Sequence, residues 1–439
     1  MNETSSSSGD IRGIAGSEVL AEKPRGRSFR SLLLNRYFAI YWFGQTLSNL
    51  GDSFAMIAIP LLVFHATHSL IQMGLVTMTI GIAQLLSSLA SGVLVDRVDR
   101  RRLMIFCDIG RALVFLTLVL SWWLAGPHML FIYIAVVCHA LLDMCFQVAQ
   151  VAAIAKLVPS EQLGAANGRI QAGAGVCFVI GPALAGLISA SSGPTTAIAL
   201  DALTFVISAI ALMLIRIPHE EISEKVQNLS QFFRDWSEGF QFLFSHRTLR
   251  AVICLFSLMT FIMAGSLDIF IYYIRGTLGY GDSQIGLVFG IASIGAILSG
   301  VFSSSLRKYL GFGFCLLGGI VCASLSVLGI SLTSSLFVIT FMAVVNVFSE
   351  TLRNIISMTF SQEVTPHRLL GRVSSVPVTV LAVVGPIGAA LTTNLASRLG
   401  PTTMLAIMGV SGLILAACGL FTPVRQRQPE KGLAQPEPE

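Results

Sequence analysis

The chain alternates between long apolar stretches and short clusters of charge. Residues 37–95 carry one charge, Asp52; residues 112–155 carry only Asp143; residues 170–215 carry only Asp201. Residues 251–306 hold Asp268, Arg275 and Asp282, residues 309–349 hold none, and residues 373–424 hold only Arg398. A bilayer-spanning helix needs about 20 apolar residues, so each stretch accommodates two spans joined by a tight turn. Six hairpins predict twelve helices. The runs are continuously apolar rather than alternating, which argues against the strands of a membrane barrel. The expected fold class is an all-α polytopic membrane protein. Small and polar breaks at 65–69, 126–128, 189–195, 276–283, 331–335 and 397–402 mark the turns on one side.

Composition narrows the function. Of 439 residues, 54% are hydrophobic and 12% charged, against about 25% charged in a soluble domain. Mean hydropathy is +0.78. These values exclude a soluble enzyme, a nucleic-acid-binding module and a secreted disulfide scaffold. Of the 28 Lys and Arg, only Arg275 and Arg398 fall at the turns just named. The rest sit in the tails, the opposite loops or the helix ends facing them, so the positive-inside bias puts both termini in the cytoplasm. The net charge of +5 follows from that topology, and no nucleic-acid partner is expected. Residues 1–30 and 424–439 read as disordered cytoplasmic tails without a cleavable signal or lipidation pattern. The eight Cys lie inside apolar spans with no CxxC, so they read as small core residues, and no metal or cofactor is expected.

An internal repeat organises the chain. Gly92 to Arg102 between spans 2 and 3 is echoed 208 residues later from Gly300 to Lys308. Pro159-Ser-Glu-Gln-Leu-Gly164 matches Pro366-His-Arg-Leu-Leu-Gly371, and Gly181-Pro182 matches Gly385-Pro386. Two six-helix halves of the same orientation follow, residues 31–217 and 251–423, related by an axis along the membrane normal. Residues 218–250 form a cytoplasmic linker. Phe232, Phe233, Trp236, Phe240 and Phe244 give it an amphipathic helix suited to the membrane surface.

In these features the chain resembles the major facilitator superfamily. The loop between spans 2 and 3 fits that superfamily's signature, roughly G-x-x-x-D-R-x-[GD]-R-[RK], through Gly92, Asp96, Arg97, Asp99, Arg100 and Arg101. Gly175, Gly181, Pro182 and Gly186 in span 5 look like the helix-bending antiporter motif of its exporter branches. The run Leu50-Gly51-Asp52, then Pro60 to Val63, Ser69 and Gly74, is most similar to the group holding macrolide efflux proteins and the enterobactin exporter, drug:proton antiporters. Span 4 departs from other drug-exporting branches in carrying no Arg. The resemblance implies a cytoplasmic gate at residues 96–101. Asp96 would accept helix N-terminal amides and pair with Arg across the halves; the bland alternative is topogenic positive charge. Asp108 and Arg111, read as lying at the inner end of span 3, are expected to join that gate. Ser304 stands where the first repeat has Asp96, so the gate is expected to be asymmetric.

Acids inside spans are costly, about 2.5–3.5 kcal/mol on insertion scales, and persist where they face a cavity or a partner. Spans 1, 4, 7 and 10 carry Asp52, Asp143, Asp268 and Glu350, and the resemblance implies that these spans line the central cavity. Helical spacing aligns Gln45, Asn49 and Asp52 in span 1, His139, Asp143, Gln147 and Gln150 in span 4, and Asn346, Glu350 and Arg353 in span 10. Asp52, without an evident local cation, is the first candidate for proton coupling. Asp143 with His139, an i, i+4 pair able to share a proton, is the second. Structural hydrogen bonding is the competing role for all three. Asp268 is expected near the outer interface, Glu350 and Arg353 as an i, i+3 ion pair or inner gate, and Asp201 is given no role. Tyr41, Phe54, Phe146 and Phe270 are aromatic candidates for a pocket wall. One proton crossing roughly 150 mV is worth about 3.5 kcal/mol, a few-hundred-fold substrate gradient.

The expected function is a monomeric secondary transporter in a bacterial cytoplasmic membrane. It would export amphipathic or hydrophobic drugs and natural products, macrolide-like antibiotics among them, against protons by alternating access. Its partners are then a small-molecule substrate, protons and the lipid bilayer. A dedicated exporter or flippase for a siderophore or lysophospholipid is the alternative. A sensor would append a soluble domain and an enzyme would gather a nucleophile and base; the sequence offers neither, nor a GxxxxGK[ST] nucleotide loop.

Overall fold

The computed structural model describes residues 35–95, 98–159, 162–216, 229–366 and 369–427. Helices alone build the architecture of these residues, and twelve segments are long and apolar enough to cross a membrane. The first half comprises α1 (Arg36–Thr67), α2 (Leu70–Val95), α3 (Arg100–Ala125), α4 (Met129–Leu157), α5 (Leu163–Ser192) and α6 (Pro194–Leu214). A connecting helix, α7 (Leu229–Ser245), leads to the second half. Its seventh span is α8 (Arg247–Met263), α9 (Ser266–Tyr272) and a π-turn, Tyr273–Thr277; its eighth is α10 (Asp282–Ala292) and α11 (Ile294–Leu310). The remainder are α12 (Phe312–Ser331), α13 (Leu336–Val364), α14 (Leu370–Leu399) and α15 (Pro401–Gly419). Twelve crossings bring residues 35 and 427 to one side, the terminal face; the opposite side is the far face.

The repeat is visible in the backbone. Gly193 (φ +86°) and Gly400 (φ +90°) end α5 and α14, and Pro194 and Pro401 begin the next helices. A left-handed glycine stops a helix without a Cβ clash, and proline is preset for the first helical position. The halves differ at span 7. Gly265 (φ +73°) breaks it between α8 and α9, and the Thr392 hydroxyl of α14 donates to the freed Ala264 carbonyl.

The connecting helix docks on its own half. Trp236, Phe240 and Phe244 stack in sequence, with centroids 5.2 and 4.2 Å apart, and pack against the second half's core. Glu238 pairs with Arg372 at the start of α14. The side chains of Phe232 and Phe233 lie outside the described residues. The expected surface helix is therefore also a structural part of the second half.

The halves meet along two seams, α2 with α14 and α5 with α10. Gly81 faces Pro386, Gly74 faces Thr393, Gly290 faces Ala183, and the main chains of Gly186 and Gly286 touch. These crossings run from the far face to mid-depth. The 630 Å³ cavity, lined by the first half, runs from mid-depth toward the terminal face, and cavities of about 570 and 440 Å³ are bordered by both halves from mid-depth toward the far face. The halves are thus joined on the far-face side, and the cavity of the first half extends to the terminal face.

Candidate functional site

The chemistry of the first half is built around Arg111. Asp99 caps α3 by accepting the Arg102 amide at 2.8 Å, so the helix starts at Arg100 and carries Arg111 about 16 Å along its axis. Arg111 is 1% exposed. Its guanidinium binds Asp108 on the same helix and donates to Asp143 Oδ1 of α4 at 3.0 Å. The rings of Phe205 and Phe146 flank it at 4.3 and 4.6 Å. Asp108 is fully buried. The expectation that Asp108 and Arg111 join a surface gate is thus corrected: three helical turns carry them into the interior, where they bind each other and α4.

A second correction concerns His139. Asp143 is taken by Arg111 and by Gln147, whose amide donates to Oδ2 at 2.7 Å. His139 instead faces Asp52, its Nε2 lying 3.8 Å from Oδ1, within ion-pair range and beyond a hydrogen bond. Its ring stacks on Phe115 at 4.6 Å and 3°. The Asp52 side chain is 36% exposed and lines two of the cavities. Asp201, given no role from sequence, is fully buried on α6. Thr204 donates to it at 3.3 Å, and glycine at position 51 of α1 leaves the space both occupy. Four carboxyl groups and one histidine therefore gather around one guanidinium.

Neutral groups line the approach. Gln45 donates to Ser208 at 3.1 Å, and Gln150 donates to Gln45 at 2.8 Å and to Tyr41 at 2.7 Å. Gln45, Asn49, Gln147 and Gln150 border the 630 Å³ cavity, with Phe146. Tyr41 and Phe54 are core residues.

In the second half Asp268 is 1% exposed and accepts a hydrogen bond from Thr77 of α2 at 2.7 Å. It ties the halves together rather than reaching the interface. Glu350 and Arg353 form their expected pair at 2.6 Å on α13 and border the 570 Å³ cavity with Asn346 and Phe270. Asn346 also donates to Ser326 at 3.1 Å. At the far face, Asp282 of α10 receives Arg275 at 3.0 Å and His65 of α1 at 3.2 Å, a carboxylate shared across the halves.

Of the gate motif, Asp96 and Arg97 lie outside the described residues, and Gly92 falls in α2. Arg101 donates to the Leu212 and Met213 carbonyls at 2.8 and 2.6 Å. It caps α6 within its own half, because a helix C-terminus leaves carbonyls that need donors. Arg100 sits at the first turn of α3. In α5, Gly181 packs on Ser53 and Gly186 on Gly286, whereas Gly175 faces open space; the helix continues through Pro182.

Comparison with known proteins adds to this geometry. Macrolide efflux protein A of Streptococcus pyogenes is 26% identical over 406 residues, covering 89% of this chain and 96% of that protein. Enterobactin exporter EntS of Escherichia coli O1:K1 is also 26% identical, over 412 residues, covering 91% and 93%. The crystal structure of nucleoside transporter NupG aligns with a TM-score of 0.71 at 11% identity, covering 88% of this chain and 98% of that one. Residues 41–389 match the family model described as Major Facilitator Superfamily. With twelve spans, two like halves and a cavity between them, the chain belongs to the Major Facilitator Superfamily of membrane transporters.

Proposed function

We propose that this transporter exports amphipathic or hydrophobic compounds, macrolide-like antibiotics among them, across a bacterial cytoplasmic membrane against a flow of protons. The reading takes the terminal face as cytoplasmic, in keeping with its Lys and Arg, and the molecule as a monomer. One observation carries it: Asp52 is presented to the cavity beside His139, while the neighbouring Arg111 is occupied by Asp108 and Asp143. More carboxyl groups than fixed cations in a water-poor site is an arrangement that holds exchangeable protons. Asp52 is the most exposed member and the one not bound to Arg111, so alternating access lets it take a proton on one side and release it on the other. Similarity to both a macrolide efflux protein and an enterobactin exporter supports the outward direction.

Efflux of ethidium or a macrolide from energised, pump-deficient cells tests this, with and without an uncoupler. Asp52→Asn is expected to lower the steady-state gradient by about two orders of magnitude, the worth of one proton at roughly 150 mV. Uncoupler-sensitive efflux that survives the substitution would move the proton site to Asp143. Absence of efflux for every drug tried would favour a dedicated substrate.

A further inference from the structure

The cavity of the second half has a chemistry of its own. Met259, Met263, Phe270, Phe289 and Val347 form much of its wall, and Glu350 with Arg353 supplies an ion pair. The partners are not equally presented. The Glu350 side chain is 35% exposed and that of Arg353 is 4% exposed. Arg353 gives Nη2 to Glu350, lies 4.8 Å from the Phe256 ring, and keeps Nε and Nη1 enclosed. The first half repeats the pattern, with Asp52 at 36% and Asp143 at 18% against 2% for Arg111. In both pairs the carboxylate is the exposed partner, and the guanidinium, though it borders the same cavity, is almost enclosed. Asp268 borders the 440 Å³ cavity instead and is occupied by Thr77.

An anionic ligand entering here meets carboxylates first. A neutral ligand strips water from Glu350 and returns no charge, which is costly. A ligand with one positive charge replaces that water. Phe270 and Phe289, edge-to-face at 5.4 Å, add ring faces that attract a cation, and the methionines adapt to varied apolar bodies.

We propose that Glu350 is the specificity-determining counter-ion for a singly charged cationic amphipath, an organic cation or protonated amine on an apolar body, and that Arg353 is its positioning residue. The inference rests on the exporter reading and divides the labour: ligand recognition in the second half, proton exchange in the first.

The test is ethidium binding to the purified full-length protein in detergent, with fluorescein as an anionic control and the thermal midpoint recorded for each variant. Wild type is expected to bind ethidium and to bind fluorescein far more weakly. Glu350→Gln is expected to weaken ethidium binding by about tenfold or more, as for a charge that loses its partner away from water. Glu350→Asp is expected to recover most of that loss, which separates lost charge from lost folding. Unchanged ethidium affinity in Glu350→Gln overturns the proposal, as does failure of Glu350→Asp to recover binding, wild type that does not bind ethidium, or wild type that prefers fluorescein. Cell efflux of the Asp52→Asn variant, run in parallel, keeps the two readings apart. Coupled efflux with an indifferent Glu350 defeats this inference alone, whereas no uncoupler-sensitive efflux defeats the exporter reading.

Discussion

Replacing Arg111 by methionine is expected to destabilise the protein by about 3–5 kcal/mol, the usual cost of removing one partner from a buried ion pair. Methionine fills the space between Phe146 and Phe205, so little of the loss is a cavity. What remains is Asp108, fully buried, and Asp143, both without their cation. The triple variant Arg111→Met, Asp108→Asn, Asp143→Asn is therefore expected to recover most of the stability, because asparagine needs no counter-charge. Arg111→Lys is expected to fall between: an ammonium keeps the charge but cannot span two carboxylates while lying flat between two rings. Denaturant unfolding of the purified protein checks the series. Wild-type stability in Arg111→Met would mean that the cluster is not held by this cation.

The second large effect is expected at the seam of α5 and α10. A side chain at position 286 meets the main chain of Gly186, not a flexible side-chain end. Gly286→Leu must therefore part the helices by roughly 1 Å or more to restore ordinary contact. An overpacking cost of about 1–3 kcal/mol falls on the far-face-closed state alone, a shift of about 5- to 150-fold toward the opposite state. Spin labels at Ser69→Cys and Ser334→Cys, in a background lacking the eight native cysteines, are expected to move apart, and efflux to fall. Asp282→Asn is expected to move the same labels by less, since it removes only the charge shared by His65 and Arg275. Unchanged label distances with a lower thermal midpoint would make the glycine contact a matter of folding and not of gating.

The spans, their turns and the two halves were legible because bilayer crossing imposes a charge-free length that any stretch either meets or fails. The site was legible only where its contacts are local. Glu350 and Arg353, one turn apart, pair as their spacing says. Arg111 lies deeper than its sequence context indicates, because it closes a charged cluster that begins at Arg100 and an apolar stretch beginning at Ala112 puts it at the surface. The position of Asp99 as the cap of α3 holds the missing signal, since it fixes how deep Arg111 lies. His139 and Asp143 share a helical face, but positions four apart diverge by about 40°, and Arg111 of another helix claims Asp143. The hydrogen bond of Thr77 to Asp268 and the close contact of His65 with Asp282 join residues from different halves, for which sequence spacing offers no guide.

The break at Gly265 has a further consequence, for water. Ala264, Gly265, Ser266 and Leu267 border the cavity of the second half, so its wall includes chain from two helix ends beside its methionine and phenylalanine side chains. Thr392 serves one carbonyl; helix ends leave several such groups to be met by solvent or ligand. Any water that meets those groups has to be shed, trapped or replaced by the cargo when the cavity closes on it. Dehydration then becomes a step of the transport cycle, and turnover is expected to respond to osmotic stress at fixed driving force.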